Sequence, residues 1–548
     1  MRSERARRAG VAGLLAMGST LMAFNASAQP AGPATNATAA AAAVDNAPLK
    51  ARVVQGVQQR QKLAQVINDT LFSYGELAFQ EVESSRYLTA LLEEHGFTVQ
   101  RGVAGMPTAW VARWGQGKPV IALGSDIDAL PRASQKPGVA YREPLVADAP
   151  GHGEGHNSGQ AVNIVAALAL KDLMEREKLP GTLVLWPGVA EELLAGKPFM
   201  VRDGVFNGVD VVLYNHVSNN LRTIWGQADG TGMVSVEYTF KGRSAHSALL
   251  PWRGRSALDA VELMNAGWNY RREHLRPEQR SHYVISNGGD QPNVVPDTAS
   301  VWYFLREMDF ENITENAAIN HRIAEAAAAM TDTTVSRTIV GAAAPRHFNK
   351  PVAEAMQRNI EQVGLPAWTA DEQTFAKAVQ TLVSSKPDGL NLKHAALSAP
   401  SSPARSGGSD DIGDVSWVVP TVTLYYPSNI PNVPSHHWAS AIAMATPIAH
   451  KGVVAGAKVT AMTAVDLLTN PGLVQQADQY FKGVQLKAQQ YVPLIGKDDK
   501  PQVRMNQQTM ERFRPEMRKH YYDASKFDTY LEQLGVKFPQ LVKPASKE

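Results

Sequence analysis

The chain has 548 residues, 44% hydrophobic and 19% charged. That is enough for packed cores in more than one domain at about 150 residues per domain, and it excludes disorder and fibrous architectures as the main reading. The 54 basic and 52 acidic residues give a formal charge of +2, without the basic excess of a nucleic-acid binder. There is no cysteine, so disulfides, cysteine-ligated clusters and a thiol nucleophile are excluded, and any metal binding or bond cleavage falls to His, Asp, Glu, Ser or Lys.

The chain starts with the charged segment MRSERARRAG, followed by an apolar stretch over 9–24 and the small residues Ala26, Ser27 and Ala28. This is the three-part pattern of a cleaved secretory signal over 1–28, and its apolar run is shorter than the roughly 20 residues that span a bilayer. Cleavage would remove four arginines and one glutamate and turn the formal charge to −1. The slight basicity therefore belongs to the address. The working protein is expected in the periplasm or outside the cell, soluble and off the membrane after cleavage. An alanine-rich linker over 29–46 follows, and the lack of cysteine agrees with an oxidising compartment.

Apolar spacing of three and four predicts helices over 53–96. Short apolar runs at 120–126, 182–186 and 209–214 predict buried strands, and an Ala- and Leu-rich helix is expected over 158–178, stopping before Pro180. Strands alternating with helices imply an α/β sheet with ligands at the carboxyl ends of its strands. Near 230 the texture changes. A strand at 234–242, a helix at 256–271, strands at 281–286 and 298–306, a helix at 316–330 and room for a strand after 334 predict a ferredoxin-like α+β unit over 230–344. It is inserted into a first domain that covers 47–229 and 345–470 and closes with a strand at 421–426 and a helix at 450–468. Residues 471–548 read as a polar, partly helical extension.

Three clusters place metal-binding or acid/base groups where a predicted strand ends or a helix begins. GHGEGHN at 151–157 sets His152, Glu154 and His156 between glycines, which let the backbone turn sharply while the side chains offer oxygen and imidazole donors. Glu191 and Glu192 follow the second strand; one could bind a metal while the other faces a water, or both could begin a solvated helix. His216 ends the third strand, as a ligand or as a packed histidine. Their joint order on an α/β pattern favours a metal site.

Further motifs run in one order over about 73–468: SDIDALP at 125–131, PGHGEGHN at 150–157, AEE at 190–192, KGRSAH at 241–246, GRSALD at 254–259, GGDQPNVVP at 288–296, GSDDIGDVSW at 408–417, PSHHW at 434–438 and AHKG at 449–452. Together they resemble the metallopeptidases that include aminoacylases and glutamate carboxypeptidases, in the amidohydrolase branch that holds the p-aminobenzoyl-glutamate hydrolases. The resemblance implies an α/β catalytic domain with an inserted lid and dimerisation domain. It implies two divalent ions, zinc or manganese, held by Glu154, His156, Glu192, His216 and His436, with Glu191 as general base and Asp128 orienting a ligand. It further implies that His246 stabilises the oxyanion, in this family sometimes from the neighbouring subunit of a homodimer, and that Asn293 and Arg306 grip the free carboxylate of the substrate. Glu154 departs from the branch, which usually has a cysteine there; a carboxylate is harder and favours ions that accept oxygen donors. The expected reaction is metal-dependent hydrolysis of the amide in N-acyl or N-aroyl amino acids. The alternatives are a dipeptidase or carboxypeptidase with the same site, and a degenerate member that binds peptide or metal without turnover.

Overall fold

Four apolar runs form the parallel centre of the larger sheet in a computed structural model that describes residues 46–543. The expected signal segment over 1–28 and nearly all of the linker lie outside the described residues. The sheet order is Thr98–Arg101, Trp110–Gln116, Gly181–Gly188, Val120–Asp126, Val211–Ser218, Thr421–Pro427 and Arg222–Thr223. The four strands from Gly181–Gly188 to Thr421–Pro427 run parallel, and the others join antiparallel. All of Thr421–Pro427 and all but the first residue of Val120–Asp126 are buried. Their continuous apolar runs suit strands covered by helices, and Gly159–Glu177, Lys350–Val363 and Pro447–Thr469 pack against them. Pro447–Thr469 is long and apolar enough to cross a membrane by composition, but most of it is buried in this core. Trp110–Gln116 and Thr98–Arg101 were not foreseen, because the exposed Arg113 and the turn of Gly115 break any apolar run there.

Residues 232–343 build the second sheet, in the order Thr334–Ala343, Gly232–Lys241, Thr298–Glu307 and Arg280–Asn287, antiparallel throughout. Helices Ala257–Arg271 and Phe310–Met330 pack on it, each begun by a side chain that accepts the amide three residues on, Ser256 from Asp259 and Asp309 from Asn312, the usual N-cap economy. A core of its own, with Tyr238, Phe240, Trp268 and Tyr303 fully buried, holds this unit together. Strand, helix, strand, strand, helix, strand is the predicted order.

The C-terminal extension is packed rather than loose. Met510, Met517 and Tyr530 are buried. Arg514 donates to the buried Glu76 carboxylate at 2.9 Å and to the Gln80 carbonyl at 2.7 Å, and the Tyr491 hydroxyl reaches Asp414 at 2.7 Å.

Candidate metal centre

The parallel strands deliver acids and imidazoles to one rim. Asp126 ends its strand and Asp128 follows two residues later; Glu191 and Glu192 follow Gly181–Gly188, and His216 lies in Val211–Ser218. Glu154 and His156 sit on the turn before Gly159–Glu177, split by Gly155 at φ 119°, where an added Cβ would come within 2.5 Å of the Met444 sulfur. His436 comes from the segment after Thr421–Pro427 and has φ 53°, as has Ala190 beside the glutamate pair. Left-handed backbone at non-glycine residues needs support from its surroundings. For the glutamate pair, Glu81 accepts the Ala190 amide at 2.8 Å and Asp128 accepts the Glu192 amide at 3.0 Å.

His156 is the centre. Its Nδ1 is 3.4 Å from Asp128 Oδ1 and 3.8 Å from Glu192 Oε1. Its Nε2 is 3.7 Å from Glu154, 3.8 Å from Glu191 and 4.0 Å from Asp126. Glu154 also reaches His216 Nε2 at 3.9 Å and His436 Nε2 at 3.1 Å, and His436 Nε2 is 3.6 Å from Glu192. His216 Nδ1 lies 2.8 Å from the Val217 carbonyl. A carbonyl can only accept, so Nδ1 carries a proton and Nε2 is the nitrogen turned toward Glu154.

Both ring nitrogens of His156, Asp128 Oδ1 and Glu192 Oε1 are buried without a hydrogen-bond partner among the described residues. Orphaned buried polar atoms are costly, and a cation would relieve one ring nitrogen of His156 together with neighbouring carboxylate oxygens, while Nδ1 stays 3.4 Å from Asp128 Oδ1. Charge points the same way. Seven carboxylates, Asp126, Asp128, Glu154, Glu191, Glu192, Asp410 and Asp411, face three fixed cations, Lys197, Arg306 and Arg346. Fully ionised, they leave an excess of negative charge, which divalent cations would offset. Titration responds to this imbalance. Burial works against charge on His156, but Asp128, Asp126, Glu154 and Glu192 raise its pKa well above the ordinary value. Burial also opposes charge on Glu154, which His436, His156 and His216 nevertheless hold well below the carboxylate range. Burial, then Asp126 and Asp410, push Glu191 far up, and burial and Glu154 do the same to Glu192.

The structure thus brings together Glu154, His156, Glu191, Glu192, His216 and His436, with Asp128 behind His156. Arg306 lines the same cavity of about 170 Å³. His246 and Asn293 stand elsewhere, exposed and adjacent on the inserted unit, where a β-bridge joins His246 to Val294. His152 points into the core, its Nε2 3.0 Å from the Leu71 carbonyl. Sequence reasoning missed the fully buried Lys197, which bonds Asp126 at 2.5 Å and also Asp411, and Tyr214, which donates to Asp126. It missed Glu81 and Arg346 as well. The adjacent acids at 410 and 411 stood inside a recognised motif without a role; a lone lysine before a proline gave no signal.

Comparison with known proteins follows the same lines. A family pattern described as a peptidase dimerisation domain matches residues 231–332. Over 450 residues the chain is 36% identical to one of the subunits of p-aminobenzoyl-glutamate hydrolase of Escherichia coli (strain K12), covering 76% of this chain and 92% of that one. It is 27% identical over 460 residues to the Xaa-Arg dipeptidase of Mus musculus, covering 82% and 95%. Among solved structures, the aminobenzoyl-glutamate utilization protein from Klebsiella pneumoniae superimposes with a TM-score of 0.53 at 15% identity, over 76% of this chain and 98% of the other.

Proposed function

The chain belongs to the M20 peptidase family and is a metal-dependent amidohydrolase or peptidase, and from that premise we propose that it is an exported enzyme that hydrolyses the amide between an acyl or aroyl group and an amino acid, p-aminobenzoyl-glutamate being the type of substrate. One observation carries the reading: His156, buried with neither ring nitrogen hydrogen-bonded, stands among Glu154, Glu191 and Glu192 at the strand ends.

Glu154, His156, Glu192, His216 and His436 would hold two divalent ions, zinc or manganese, with Glu154 reaching both sides of the cluster through its two oxygens. Such ions supply Lewis acidity, polarising an amide carbonyl and acidifying a water. Glu191 takes the proton from that water and returns it to the leaving amine. Asp128 fixes His156 from behind and holds the Glu192 amide, so base and ligand keep their separation. Arg306 offers a guanidinium fork to the free carboxylate of the substrate. His246, exposed on a unit that matches a dimerisation domain, serves the oxyanion of a partner copy in a homodimer, and Asn293 beside it joins in holding the carboxylate. Export rests on the segment over 1–28.

The dipeptidase of Mus musculus favours a second reading, a peptidase with the same site. The test is turnover by purified protein, loaded with zinc or manganese, on N-acyl amino acids, p-aminobenzoyl-glutamate and dipeptides, including one ending in arginine. Fastest turnover on the aroyl-glutamate is expected. Fastest turnover on dipeptides would replace the first reading by the second, and bound metal without turnover on any substrate would return the degenerate one.

A further inference from the structure

Two arginines open on the cavity that also holds Glu154, Glu191, Glu192, His216 and His436, whereas one free carboxylate needs only one guanidinium. Arg306 arrives on the inserted strand Thr298–Glu307, and Arg346 lies just after Thr334–Ala343, where the chain returns to the larger domain. Neighbouring residues anchor their heads. Arg306 Nη1 donates to Ser409 Oγ at 2.7 Å, and Arg346 Nη1 lies 3.8 Å from Asp410 Oδ2. Ser409 is itself tied to Thr231 at 3.0 Å.

Neither head is saturated. Arg306 is half-buried against the Phe304 ring and a hydroxyl. Arg346 gives one short bond, 2.7 Å to the Asp229 carbonyl. Asp410 is shared rather than dedicated to Arg346: its Oδ1 accepts the Ile412 amide at 2.9 Å and stands 4.0 Å from Lys197. A guanidinium has five N–H donors in a planar fork, so both keep donors for a ligand. Room for Arg346 is also built in. At Gly230, with φ 118°, an added Cβ would lie 2.4 Å from Arg346 Nη2.

Building on the amidohydrolase reading, we propose that Arg346 is a specificity residue that binds the side-chain carboxylate of an acidic amino acid while Arg306 binds its α-carboxylate. The substrate class is then an acyl or aroyl dicarboxylic amino acid with its scissile amide toward the carboxylate and imidazole cluster. A residue with a cationic side chain would bring a third positive charge beside two arginines, which weighs against an Xaa-Arg preference.

The experiment compares kcat/KM of the metal-loaded enzyme on p-aminobenzoyl-glutamate and on p-aminobenzoyl-glutamine, which has nearly the same shape and lacks the second charge. The wild type should prefer the glutamate by roughly 10- to 100-fold, as charge-assisted hydrogen bonds to a carboxylate imply. In Arg346→Ala the preference should fall toward unity, and Arg346→Lys should restore part of it. Hydrolysis of both at equal rates by the wild type would overturn the assignment and leave the amidohydrolase reading standing; hydrolysis of neither would overturn the reading on which it rests. An equal loss on both substrates in Arg346→Ala would make Arg346 a support for the 409–410 segment and also overturn the assignment.

Discussion

The cluster around His156 and the loop that carries His246 are built by opposite rules. Around His156, one chain gathers cation donors from several strand ends and the turn before Gly159–Glu177, and both His156 ring nitrogens, Asp128 Oδ1 and Glu192 Oε1 are buried with no hydrogen-bond partner among the described residues. On the inserted sheet, His246 is exposed, and its Nδ1 accepts the amides of Ala248 and Leu249 at 3.2 and 3.1 Å, which leaves Nε2 free to face outward. Leu249 and Trp252 beside it are 65% and 68% exposed, and the edge strand Arg280–Asn287 exposes Val284 and Ile285. An unpaired strand edge with apolar residues is a natural pairing surface. The contrast sets a cluster that one chain assembles by itself against an exposed histidine that, on the reading proposed above, acts on the site of a second copy.

The strongest way to break this contrast is to remove the metal. Chelation should abolish turnover, and zinc or manganese should restore it with about two ions per chain, regardless of protein concentration; restoration of binding only at concentrations that drive association would contradict the single-chain assignment. Next in size, Glu191→Gln should bind metal normally and lose roughly two to four orders of magnitude in kcat, and His246→Ala should also keep its metal and lose turnover. Mixing these two inactive variants after reversible dissociation should recover roughly a quarter of wild-type activity, because half of the reassorted dimers hold one intact site. No recovery would place the oxyanion donor within the chain. A smaller effect is expected of Glu154→Cys, which replaces a hard donor by a soft one and should shift relative affinity from manganese toward zinc by roughly one order of magnitude, read by competition titration, with no change in dimer dissociation.

The sequence conveyed the buried cluster better than its supports. Val120–Asp126 and the ligand motifs were legible because a fully buried parallel strand is a continuous apolar run and because ligands follow such strands directly. The inserted unit was legible from its change of period, although its second helix starts at Phe310, capped by Asp309, ahead of the alanine-rich run that predicts it from 316. The edge strands over 98–116 were not, since half-exposed strands carry charges that blur alternation. Glu81 and Lys197 could not be read from local pattern at all. Each is tens to hundreds of residues from the aspartates it touches or influences, and only the folded chain brings Lys197 between Asp126 and Asp411. Arg346 shares this difficulty, because a residue at a domain crossover acquires its role from two segments distant in sequence.

The contrast is sharpened last at the seam between its two regions. Asp414 accepts the Ala344 amide at the exit from the inserted sheet at 2.8 Å and the Tyr491 hydroxyl of the C-terminal extension at 2.7 Å. Burial pushes its carboxyl from the usual 3.8 up to about 6, against the pull of those hydrogen bonds. The folded chain therefore keeps this proton in a range where the unfolded chain has released it. The stabilisation is complete below pH 3.8 and is lost as pH rises through 6, by up to ~3 kcal/mol in all. An asparagine in its place would have no proton to release, and its amide can donate to the Tyr491 oxygen. The thermal midpoint of Asp414→Asn, measured relative to the wild type in the metal-free protein, should accordingly rise between about pH 4 and 6 and run parallel above that. Parallel curves from about pH 4 upward would mean that Asp414 is ionised in the fold and that the seam is held by charge rather than by a buried proton.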